Sequence, residues 1–179
     1  MMRRVVLLAC LTALWPAAPA RAQEEHPIQL GLFPPAQIVP EDESVRGVRL
    51  SLLLGRNVNV SGLDVGLVNQ TTGDLLGVQW GLVGISDGDV TGWQANWVNV
   101  THGAMEGLQT GVVSVTETGR GVQWSGVNHA QNFRGLQVAF VNYARRLDGV
   151  QIGLVNIISE GGQFPVFPIV NWGKGEDWE

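Results

Sequence analysis

The sequence predicts an all-β protein of tandem 14–15-residue single-strand repeats, an antiparallel meander closing into a small β-barrel, with a parallel β-solenoid as the alternative. Three observations lead there. An octapeptide, G-Φ-Q-Φ-G-Φ-V-N with Φ apolar, recurs at that spacing: Gly62 to Asn69, Gly77 to Gly84, Gly92 to Asn99, Gly107 to Ser114, Gly121 to Asn128, Gly135 to Asn142 and Gly149 to Asn156. Side chains alternate within each copy, the period of a strand and not of a helix. Between copies lie short polar links such as Gln70-Thr71-Thr72-Gly73-Asp74 and Ile85-Ser86-Asp87-Gly88-Asp89, which read as turns. Units copied this way are stable only against their neighbours.

Taken in order, residues 1–22 read as a signal peptide, with Arg3 and Arg4 before an apolar Val5 to Trp15 and a small-residue cleavage site at Ala20-Arg21-Ala22. The chain is expected to be exported. Residues 23–46 form an N-terminal arm with a first weak repeat (Pro27 to Pro34), 47–172 the β-repeat domain, and 173–179 an acidic tail. The only cysteine, Cys10, falls in the leader, so a cleaved chain has no disulfide or thiolate chemistry. Losing Arg3, Arg4 and Arg21 takes 11 basic residues to 8 against 16 acidic ones, a formal charge of −8. That balance argues against nucleic acid or an anionic membrane surface as the main partner, since both need basic clusters.

The alternation gives each unit two faces with different rules. In the unit from Val60 to Asn69, Val60, Gly62, Asp64, Gly66 and Val68 share one face, and Ser61, Leu63, Val65, Leu67 and Asn69 the other. The first face is nearly constant across copies and is expected to be a packed interior, with Gln79, Gln94, Gln109, Gln123, Gln137 and Gln151 as its belt. Arg49 and Asp64 hold the same place in adjacent units, so an ion pair is expected beside the glutamines. The second face changes freely in volume, from Ala95, Thr110 and Gly126 to Trp80, Trp93, Trp97, Trp124 and Phe140. A close-packed core rarely tolerates such swings, whereas lipid does. These aromatics are the expected lipid- or partner-facing residues.

Ten extended residues cover about 33 Å, which a five-residue link of at most about 17 Å cannot retrace. Straight strands must therefore be antiparallel hairpins, and the outer apolar face then suits a transmembrane barrel. If a glycine bends each unit instead, one solenoid coil fits into a repeat, and the terminal Asn of most units stacks as a ladder. Pro27, Pro34, Pro35, Pro165 and Pro168 favour that alternative, since proline belongs at sheet edges.

The repeats, together with Pro40-Glu41-Asp42-Glu43-Ser44-Val45-Arg46-Gly47 before them and Gly161 to Trp172 (GGQFPVFPIVNW) after them, resemble a family of bacterial exported surface-repeat proteins. That resemblance implies export and surface association, without an established activity or catalytic residues. The acidic extension Gly173 to Glu179 departs from the pattern.

No enzyme is expected: there is no nucleophile elbow, phosphate loop or metal-spaced His pair. His26, His102 and His129 read as surface or turn residues, Glu41-Asp42-Glu43 as a solvated acidic linker, and Asp87 and Asp89 as turn chemistry. The expected function is a non-enzymatic structural or anchoring outer-membrane element without cofactor or metal. Its partner would be membrane lipid if a barrel, or an envelope protein or glycan if a secreted or surface-tethered solenoid.

Overall fold

The computed structural model describes residues 24–174; the expected signal peptide and most of the acidic tail lie outside the described residues. Seven strands make one sheet in the order β2-β1-β3-β4-β5-β6-β7. They are β1 Glu25–Phe33, β2 Ala36–Gln37, β3 Ser44–Asn57, β4 Val60–Thr71, β5 Leu75–Ser86, β6 Val90–Glu160 and β7 Val166–Gly173. β1, β3, β4, β5 and β6 pair in parallel, while β2 and β7 add antiparallel at the two ends. Each residue pairs with its equivalent one repeat away, such as Gly62 with Gly77 and Gly77 with Gly92. β6 continues the same winding through several repeats, its Gly107 stacked on Gly92 and its Gly121 on Gly107.

The chain is therefore a parallel β-solenoid, and the expected antiparallel meander and barrel are corrected. Only straight strands of that length require hairpins, and here every coil bends. The first bend is the leading glycine, whose φ lies between 125° and 149° from Gly47 to Gly149, a region L-residues rarely enter. Close stacking adds a second requirement there: a Cβ on Gly92 would lie 2.0 Å from the carbonyl oxygen of Gly77. The second bend follows Gly66, where pairing passes from Gly66↔Gly81 to Val68↔Val83.

At that second bend two consecutive residues point outward, and the alternation changes phase. Leu67 is exposed and Val68 half-buried, while Asn69 is fully enclosed. The expectation that the valines pack inside and the asparagines outside is thus reversed.

An apolar column fills the interior on one side: Val60, Leu75, Val90, Met105, Phe133 and Leu147. Gly119 takes the place between Met105 and Phe133, and a Cβ there would sit 2.6 Å from the Phe133 ring. The large ring occupies the space its neighbour vacates. A facing column runs from Thr71, Ser86, Thr101 and Thr116 to Ala130, Ala144 and Ile158, so the interior becomes more apolar toward the C-terminus.

Repeat length changes in the turn. In the 15-residue coils the extra residue joins an Asx ladder, where Asn59 Oδ1 accepts the Asp74 amide (2.8 Å), Asp74 Oδ1 that of Asp89 (2.9 Å) and Asp89 Oδ1 that of Ala104 (2.8 Å). Such bonds satisfy turn amides that no neighbouring carbonyl reaches.

Candidate functional site

Two features of the coil could carry function: the polar ladder inside and the apolar flank outside. The ladder starts from a charged pair, the one fully enclosed among the described residues. Arg49 Nε donates to Asp64 Oδ1 and Arg49 Nη2 to Asp64 Oδ2, both at 2.7 Å, and Nη1 donates to the Gln70 carbonyl at 2.9 Å. Both side chains have no solvent exposure. This bidentate geometry with further partners is what makes a buried pair tolerable.

Asp64 also sets the direction of everything above it. An ionised carboxylate only accepts, so Gln79 turns its Nε2 to Asp64 Oδ2 (2.9 Å) and leaves its Oε1 for the next coil. Gln94 donates to Gln79 (3.2 Å), Gln109 to Gln94 (2.7 Å), Gln123 to Gln109 (2.8 Å), Gln137 to Gln123 (2.6 Å) and Gln151 to Gln137 (2.8 Å). Every amide dipole points its positive end at Asp64. The structure thus brings the predicted interior residues Arg49, Asp64 and the six glutamines into one continuous column.

A second column was outside the predicted site. Asn128 Nδ2 donates to Asn142 Oδ1 (2.9 Å) and Asn142 Nδ2 to Asn156 Oδ1 (2.8 Å). Lower down, Asn99 donates to Ser114 (3.3 Å), which bonds Ser125 (2.6 Å). Where Gly84 replaces the Asn, Asn96 of the next coil moves into the space, donating to Gln79 Oε1 (3.0 Å) and Asn99 Oδ1 (2.9 Å). This is the asparagine ladder expected of the solenoid alternative, although its residues were not among the predicted site residues.

Outside, the positions one, three, five and six residues after each glycine form one flank. On it lie Leu63, Val65, Leu67 and Val68 of one coil, Val78, Trp80, Leu82 and Val83 of the next, and so on to Val150, Ile152, Leu154 and Val155. From Val48 to Val155 these positions hold no ionisable side chain. The five predicted aromatics all stand here, with Trp97 and Trp124 each 65 % exposed and Phe140 69 % exposed. The flank's one hydroxyl, on Thr110, accepts from Trp93 Nε1 at 2.9 Å. Shallow grooves run between the third and fifth positions: one of about 390 Å³ beside Leu52, Trp80 and Trp97, another of about 380 Å³ beside Trp124, Phe140 and Leu154. Apart from the enclosed Arg49 and Asp64, the charged side chains of the described residues lie at the turns, the termini and the edges of the flank. There Arg134 pairs with Asp148 (2.9 Å) and Arg146 with Glu160 (2.8 Å).

The histidines stay apart. His102 meets Asp87 at 3.0 Å and His129 stacks on Tyr143 at 4.8 Å. His26 bonds Glu43 at 2.5 Å, with Glu24 close enough that the three ligand atoms lie within 4.8 Å of one another. Sequence spacing did not foresee that grouping; pairing β1 with β3 brings His26 beside Val45, two residues from Glu43. Of the acidic linker, Glu41 pairs with Arg56 (3.4 Å) and Asp42 is exposed.

Fold and columns together define a parallel β-solenoid with a polar ladder in its core. Comparison with protein families, with curated proteins and with solved structures finds no match.

Proposed function

We propose that this chain is a non-enzymatic, exported β-solenoid of the bacterial envelope that works by association through its uncharged flank. The observation that carries this reading is that flank: over successive coils it exposes Leu, Val, Trp and Phe without one charge. Soluble monomers rarely expose contiguous apolar area beyond a few hundred Å² without a partner for it. The signal-like N-terminus and the resemblance to exported surface-repeat proteins support the envelope. A glycan partner fits less well, because sugar hydroxyls need polar groups fixed around the aromatic platform, and the one hydroxyl on this flank is engaged by Trp93.

The test is fractionation of cells exporting the full chain or its Leu67→Asn, Trp97→Asn, Val112→Asn triple variant. The native chain is expected in the envelope fraction and the variant in the soluble fraction, with unchanged circular dichroism. Identical distribution of the two would remove the flank from the function.

A further inference from the structure

We infer that the occupant of the flank is a second copy of this chain, laid flank to flank about a two-fold axis that runs along the solenoid. The inference rests on the flank being an association surface and goes on to name its partner.

Area comes first. Eight coils at about 4.8 Å, each spanning five intervals of about 3.3 Å from the first to the sixth position after the glycine, make a face of roughly 38 by 17 Å. That is about 650 Å² per copy and about 1,300 Å² for a pair, within the range of stable specific interfaces. Shape agrees. In two coils the third and fifth positions across the groove pair a small residue with a bulky one, Ala95 with Trp97 and Trp124 with Gly126, while others, such as Trp80 with Leu82, hold two larger apolar residues. A two-fold axis over the groove exchanges the two columns. Trp97 of one copy then covers Ala95 of the other, and Trp124 covers Gly126, so each ring fills the hollow that its own coil leaves.

Charge separates a second copy from lipid. A surface-lying membrane element carries Lys and Arg around its apolar face and aromatics at its border. Here the column before the glycines mixes Arg46, Glu106, Arg120, Arg134 and Asp148, and Trp80, Trp97 and Trp124 stand within the face. An identical uncharged face is the partner that buries no unpaired ion. The ends leave sideways pairing as the open route. β1 and β7 carry Pro27 and Pro168, and β7 holds Ile169 at a φ of 70°; such residues block addition of further strands. Pairing about a two-fold axis is closed and stops at two.

The experiment is sedimentation equilibrium of the purified full chain in detergent-free buffer, beside its Trp97→Lys and Trp124→Lys variants. The expected result is twice the chain mass for the native protein and the single mass for both variants, all three with the same circular dichroism. A native monomer overturns the inference, and flotation of that monomer with neutral phosphatidylcholine vesicles would assign the flank to lipid. If the native monomer still loses its envelope association on these substitutions, the functional reading survives and only the second copy falls. A dimer that persists in both variants pairs elsewhere and removes both. As a check on the axis, Ala95→Trp fills the hollow and is expected to lower dimer affinity at least tenfold without changing the circular dichroism; undiminished affinity rejects this axis.

Discussion

The column beneath the glycines and the flank beside it are built from the same octapeptide, yet one is nearly invariant from coil to coil and the other is not. At the second position after the glycine the chain repeats Gln six times, each amide donating to the coil before it. One residue further on, the side chain is Val65, Trp80, Ala95, Thr110, Trp124, Val138 or Ile152. Inside, identity is held by a directional bond at both ends of each side chain from Gln79 to Gln137, with Gln151 closing the column as a donor. Outside, neighbouring coils ask only for an apolar residue. The glutamines are constant because each bonds along the axis; on the flank the third and fifth positions vary, while the sixth keeps valine in every coil from Val68 to Val155.

Substitutions in the column should therefore cost stability in proportion to the partners stranded. Asp64→Leu leaves Arg49 enclosed without its carboxylate and Gln79 without an acceptor, and should destabilise by about 3–5 kcal/mol. Adding Arg49→Leu should recover much of that loss in a urea-denaturation cycle; additive losses would show that the pair does not act as a unit. Gly92→Ala should cost about 2–3 kcal/mol, because alanine disfavours a φ of 134° and its methyl meets the Gly77 carbonyl. A thermal melt within a degree of native would rule out that stacking.

Gln109→Leu removes a donor from Gln94 and an acceptor from Gln123. About 2 kcal/mol is expected, read from the urea midpoint, while association should persist. On the flank, Trp97→Asn should change the stability of the monomer by no more than about 0.5 kcal/mol and abolish association. That pair of variants separates the two regions.

Much of the fold was legible because the repeat is. Period, strand character and the glutamine column follow from the alternation, and the pairing of Arg49 with Asp64 follows from their equal place in adjacent units. The direction of winding was not legible in the same way. Coil or hairpin depends on whether Gly62 and its equivalents enter positive φ, and a glycine is compatible with either. The phase change at Leu67 and Val68 was hidden too, since both are apolar and a period of two continues smoothly across them. It moved the asparagines inside and the valines out. Exchanges such as Phe133 over Gly119, or Asn96 into the space at Gly84, show only when residues are compared one coil apart. Neighbours in this molecule are fourteen or fifteen positions away.

The most direct measurement sets Gln109→Leu beside Trp97→Asn, with urea midpoints taken at a protein concentration where the native chain is monomeric, so that association adds nothing to stability. Sedimentation follows at a concentration where the native chain pairs. The expected result is a lowered midpoint with retained pairing for Gln109→Leu, and a native midpoint with lost pairing for Trp97→Asn. A midpoint lowered equally by both would contradict it, since the flank would then be holding the coil together.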